Sequence, residues 1–132
     1  MEYKLVVMKF YWRMPDGLRV HYEAELIQFQ RSLDANELQT AWHRLERAHV
    51  LGQAWAVEHS EVHWMMFIFG LRIKNWREVV GQLPRLIFGG VKSFVGKIPV
   101  GNTGGANVPP LRPMEIPDDM KCLLGPYLKN AR

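Results

Sequence analysis

Apolar residues recur at intervals of three and four from Leu18 to Ile87, and this spacing limits the fold of the chain more than any other feature. A repeat near 3.6 residues gathers side chains on one side of a helix, where a strand would need strict alternation. Four stripes succeed one another. Leu18, Tyr22, Glu25, Phe29 and Leu33 share a face of a first helix expected over 17–32, with Asp16 as its cap. Leu38, Trp42, Leu45 and His49 line a second, opened by an Asp34/Glu37 capping box and stopped at Gly52. The third, expected over 54–73, is apolar on nearly all sides after His63, as a helix covered by other segments would be. The fourth opens at an Asn75 cap with Glu78 as its partner and presents Trp76, Val80, Leu83 and Ile87. It should kink at Pro84, whose missing N–H breaks the bond to Val80, and end at Gly89-Gly90. Short gaps between the stripes predict an all-α fold, either a four-helix bundle or paired helical hairpins.

Near residue 92 the character changes. Gly96, Pro99, Gly101, Gly104, Gly105, Pro109, Pro110, Pro113 and Pro117 dominate the C-terminal third. The chain of 132 residues therefore reads as one domain: an N-terminal extension over 1–13, a helical core over 14–91 and an irregular Gly/Pro-rich arm over 92–132. The first seven residues, Met1 to Val7, are a short apolar stretch with no assigned element. Ile98, Val100, Val108, Leu111, Met114 and Ile116 give the arm apolar anchors with which to wrap the core. A last short helix is expected from Pro117, with Asp118 and Asp119 at its positive end and Gly125-Pro126 as its stop. The Asp34–His49 stretch, with its small Ala41 and Ala48, is weakly similar to the second half of a tetratricopeptide unit, whose period and signature residues do not recur.

One cysteine, Cys122, excludes an intrachain disulfide and a cysteine-based zinc finger, and it favours a reducing, cytoplasmic setting. The longest apolar run, Trp64 to Leu71, is far short of the ~18 residues a membrane span needs. No signal-peptide pattern opens the sequence. The net charge is +4, which permits an acidic partner without requiring one. Arg72, Lys74, Arg77, Arg85, Lys92 and Lys97 concentrate positive charge against Glu78 alone, but they do not interleave with aromatics, which argues for a solvated face over nucleic-acid contact.

Four of the five histidines lie between His43 and His63. At about 100° per residue, Glu25 falls in the middle of the first stripe and His49 in line with the second, with Glu46 at its margin. His59 and His63 share a line with Met66 and Gly70, whereas His43 points outward. Three helices thus bring Glu25, Glu46 with His49, and His59 with His63 onto faces that should be buried. Burying a lone carboxylate costs several kcal/mol, and an unpaired imidazole nitrogen roughly 1–3 kcal/mol. Metal binding answers that cost. His-x-x-x-His sets two imidazoles one turn apart, and Glu-x-x-His does so for a carboxylate and an imidazole. The set of His49, His59, His63, Glu46 and Glu25 suits zinc, iron or manganese. A metal-free hydrogen-bond network among the same groups is the other reading. A ferritin-type di-metal site needs a second Glu-x-x-His, and a zinc protease needs Glu where Ser60 stands.

The stretch Pro99-Val100-Gly101-Asn102-Thr103-Gly104-Gly105-Ala106-Asn107-Val108 is the most distinctive in the arm. Its glycines and asparagines permit an anion nest, or a loop whose Asn side chains tie its own backbone. No lysine or helix comes after it as in a P-loop, and no strand precedes it as in a dinucleotide fingerprint. The loop residues of interest are Gly101, Asn102, Thr103, Gly104, Gly105 and Asn107.

Taken with Leu45-Glu46-Arg47-Ala48-His49-Val50-Leu51-Gly52-Gln53, His59-x-x-x-His63-Trp64 and Arg77-Glu78-Val79-Val80-Gly81-Gln82, that stretch resembles a bacterial family of small proteins of unknown function, over roughly Met8 to Leu124. The resemblance implies a bacterial, cytoplasmic protein and carries no activity and no ligand assignment. From the residues alone the expected function is a small helical metalloprotein, possible as an enzyme. The alternative is a metal-free helical interaction module, a homo-oligomer or the binder of a protein partner, that uses exposed aromatic faces.

Overall fold

Asn36 adopts a left-handed backbone, φ 59°, and this closes helix α1 (Asp16–Asp34). The Glu37 N–H donates to the Ser32 carbonyl at 2.8 Å and the Asn36 N–H to the Leu33 carbonyl at 3.0 Å, the paired bonds of a capped helix C-terminus. Lys74, φ 56°, closes α3 (Ala56–Arg72) in the same way, with the Asn75 N–H on the Gly70 carbonyl at 2.9 Å. Each closure folds the chain back on itself. Accordingly α1 packs on α2 (Leu38–Gly52), α3 packs on α4 (Trp76–Ile87), and α2 joins the two hairpins by packing on α3. The computed structural model describes residues 12–87, 102–108, 112 and 114–128, and among these there are five helices and no strand. The fifth is α5 (Asp118–Leu128). The all-α expectation holds. Met1–Val7, Gly89-Gly90, Gly101 and most of the arm's early anchors lie outside the described residues.

The α1 stripe is buried as its spacing requires, with Leu18, Tyr22, Glu25, Phe29 and Leu33 all inside. It meets Ala41, Leu45, Ala48 and Leu51 of α2 and Val62, Met66 and Phe69 of α3. Each large apolar side chain withdrawn from water contributes about 1.5–3 kcal/mol. Phe69 packs edge-on to Phe29 and stacks on Trp42, both at 5.8 Å between ring centres. Ile116, Met120 and Leu124 add the last side of this core.

Several local expectations need correction. The Asp34/Glu37 capping box does not form. Asp34 is still inside α1, where its carboxylate accepts from Gln30 Nε2 at 2.8 Å, and no side chain caps α2. Asp16 is likewise a first-turn residue behind Pro15 and caps nothing. The Asn75 cap does form, its Oδ1 accepting from the Glu78 N–H at 3.2 Å. Helix α5 continues through Gly125 and Pro126, held at that end by the Tyr127 ring against Trp55 at 6.1 Å.

The largest correction concerns α4. Its apolar stripe faces solvent: Trp76, Val80 and Leu83 are exposed, and Glu78, Val79, Gln82 and Arg85 are buried. Nor is α3 covered all round, because Trp64, Ile68 and Leu71 are exposed. The polar side of α4 turns inward because its buried carboxylate, amide and guanidinium each find a partner there.

Candidate metal centre

His49 leaves α2 from its last turn, and His59 and His63 leave α3 one turn apart. Packing of α2 on α3 brings the three rings together. All three are almost fully buried, at 1%, 2% and 1% exposure respectively. His63 Nε2 lies 3.0 Å from His49 Nε2 and 3.0 Å from His59 Nε2. One ligand atom from each ring falls within 4.8 Å of the other two.

The tautomers decide what such a cluster can do. His49 Nδ1 is 2.6 Å from the Asn102 carbonyl, a group that only accepts, so Nδ1 carries a proton. His63 Nδ1 is 2.6 Å from Gln82 Oε1. The Gln82 amide cannot be reversed, because its Nε2 donates to Glu78 Oε1 at 2.6 Å and to the Gly104 carbonyl at 2.9 Å. His63 Nδ1 therefore carries a proton as well. The Nε2 atoms of His49 and His63 then face each other at 3.0 Å, with His59 Nε2 completing the group. One ligand atom from each ring could reach a single metal ion. Metal-bound histidines characteristically donate their other N–H to a carbonyl or carboxylate, and this fixes the ring.

Those outer partners come from the Gly-rich loop and α4. The stripe Glu78, Gln82 and Arg85 fastens the loop at successive turns of the helix. The Glu78 carboxylate accepts from the Ala106 N–H at 2.9 and 3.1 Å, Gln82 holds Gly104, and Arg85 Nη2 donates to the Val108 carbonyl at 2.8 Å. Burial lowers the Arg85 pKa while Glu78 opposes that shift. Gly81 allows the close approach, since a Cβ there would meet the Ala106 Cβ at 2.4 Å. Gly104 lies over the His49 ring at φ 81°, and a Cβ on it would come within 2.5 Å of His49 Cδ2. Asn102 Oδ1 accepts from the Gly104 N–H at 2.8 Å, and its Nδ2 donates to the Arg112 carbonyl at 2.8 Å. The loop is one whose Asn side chain ties its own backbone, and its Ala106 N–H is answered by the Glu78 carboxylate of the same chain. Thr103 and Gly105 complete the segment, while Asn107 is exposed.

The two carboxylates expected beside the histidines are not there. Glu25 is buried but sits between Arg44 Nη1 at 3.1 Å and Arg47 Nε at 2.8 Å, and Arg47 also bonds Asp119. Glu46 lies 3.9 Å from His43 and lines a cavity of about 190 Å³ with Thr103 and Glu115. Burial pushes the Glu46 carboxyl up, against the pull of His43. A helical wheel gives the angle of a side chain but neither its height along the axis nor the neighbour it meets. Gln82 is the residue that inspection of the sequence passes over, and Glu78 is read there only as the partner of the Asn75 cap. Their signal was present as a polar i, i+4, i+7 series with Arg85, opposite the Trp76 stripe.

A family model matches residues 16–124, which takes in all three histidines, Gln82 and the loop. The chain belongs to DUF3703, a family of proteins of unknown function. Comparison with curated proteins and with solved structures gives no match. No described helix is long and apolar enough to cross a membrane.

Proposed function

We propose that this DUF3703 protein holds one transition-metal ion on the Nε2 atoms of His49, His59 and His63. The observation that carries the reading is the convergence of three buried Nε2 atoms, that of His63 at 3.0 Å from each of the other two, with the Nδ1 atoms of His49 and His63 held on oxygens that can only accept. Metal–nitrogen bonds of about 2.0–2.1 Å join nitrogens at such separations. With Glu25 and Glu46 engaged elsewhere, the set is imidazole alone. That favours zinc, then iron, over manganese, which prefers oxygen donors. Burial of all three rings suits an ion held for structure or sequestration better than one that turns over a substrate.

Titration of chelator-treated protein with zinc tests this. One equivalent should bind, His63→Ala should abolish binding, and His43→Ala, on an exposed ring, should leave it intact. Absence of binding to the wild-type chain would mean that the rings share protons in a metal-free network.

A further inference from the structure

Two adjacent helices expose apolar side chains at the same spacing. On α3 they are Trp64, Ile68 and Leu71; on α4 they are Trp76, Val80 and Leu83. Each set has i, i+4, i+7 spacing, and so forms one line along its helix. The closure at Lys74 turns α4 back along α3, and each helix carries its line away from its buried residues, with Leu71 and Trp76 next to the turn and Trp64 and Leu83 away from it. The tryptophans stand at opposite ends, 54% and 61% exposed. Singly exposed apolar residues are ordinary, but six arranged as one face mark a surface that something covers.

The charges around the face select what covers it. From Leu71 to Pro84 the exposed charged side chains are Arg72, Lys74 and Arg77, and the one exposed acid on the line, Glu61 one turn before Trp64, is held by the Tyr22 hydroxyl at 2.9 Å. The one acid of α4, Glu78, is turned inward onto Gln82 and Ala106. Lys92 and Lys97 come next in the sequence. A second copy of the chain would bring the same three cations and, from this face, Glu61 alone to answer them. A layer of lipid phosphates answers them directly, and indole rings favour the boundary between headgroups and acyl chains.

We infer that the outer face of the α3–α4 hairpin docks on an anionic lipid surface, with the aliphatic and indole side chains entering the headgroup boundary and Arg72, Lys74 and Arg77 on lipid phosphates. The inference is independent of the metal site, because the six side chains of this face are exposed and the three imidazoles are buried.

Co-sedimentation with vesicles is the test. Wild-type protein should sediment with phosphatidylglycerol/phosphatidylcholine vesicles and not with phosphatidylcholine alone, and added salt should release it. Arg72→Glu with Arg77→Glu should weaken binding by more than roughly fivefold for each residue changed. Trp76→Ser with Val80→Ser should abolish binding, while zinc stoichiometry, read on the same samples against the wild-type value, stays unchanged as a check on folding. Wild-type protein left in the supernatant with phosphatidylglycerol vesicles would overturn the inference. So would a concentration-dependent dimer in analytical ultracentrifugation that Trp76→Ser with Val80→Ser abolishes, since the face would then belong to a second copy.

Discussion

In the α1–α2 hairpin the buried Glu25 carboxylate lies between two guanidiniums, Arg44 at 3.1 Å and Arg47 at 2.8 Å. In the α3–α4 hairpin the buried His63 ring lies between the Gln82 amide, at 2.6 Å, and two more imidazoles, at 3.0 Å. Both hairpins turn on a non-glycine residue of positive φ, and both bury a polar group from their first helix. The first group is answered completely, charge by charge. The second is answered by neutral groups, an amide on one nitrogen and two ring nitrogens on the other. A buried ion pair closes a site with charges already in the chain; three converging ring nitrogens form a group that could hold a metal ion.

The contrast can be broken most forcefully at Gly104. Gly104→Ala places a methyl group within 2.5 Å of the His49 ring at a backbone φ of 81°. It should cost about 2–4 kcal/mol in denaturant unfolding, from overpacking plus left-handed strain, and should reduce zinc uptake. Next in size, Glu25→Ala strands two arginines and should cost about 2 kcal/mol, less than a fully buried pair because Arg44 is partly solvated. The decisive part is that its zinc stoichiometry stays at one. Loss of zinc there would mean that the two hairpins are not separate in function.

The α1 stripe and the histidine grouping were legible because both depend only on angular position about a helix. Leu18, Tyr22, Phe29 and Leu33 had to share a face, and so did His59 and His63. Glu25 was misread for the same reason, since its angle is correct but its partners, Arg44 and Arg47, are set by how α2 crosses α1. The buried face of α4 was inverted because Trp76, Val80 and Leu83 are the more apolar set, whereas Glu78, Gln82 and Arg85 find partners in a loop distant in sequence. Several of those partners are backbone groups, the carbonyls of Asn102, Gly104 and Val108 and the Ala106 N–H, which carry no side-chain signature.

Two smaller effects sharpen the comparison. Gln82→Leu removes the acceptor that sets the His63 tautomer while leaving all three ligands in place, and should weaken zinc binding by about 10–100-fold in a competition titration. On the α1–α2 side, the Arg47 bond holds the Asp119 carboxyl below the usual carboxylate range. A carboxyl with a lowered folded-state pKa contributes stability above its unfolded value and loses it as the pH falls through the lowered one. Asp119→Asn should therefore slightly flatten the acid limb of a melting curve taken down to about pH 3, where the unfolded carboxyl is already largely protonated. Asp119 is exposed, so the change should be small, and zinc content at neutral pH should not move.

Thermal melting of the wild type and of His63→Ala, each with and without chelator, tests the metal centre most directly. An ion bound only by the folded chain adds its binding free energy to folding, about 2.7 kcal/mol at a free concentration 100 times the dissociation constant. Chelator should lower the wild-type Tm by several degrees and leave that of His63→Ala unchanged. A chelator-insensitive wild type, with His63→Ala destabilised equally in both conditions, would contradict the metal centre and leave the three imidazoles as a proton-sharing core.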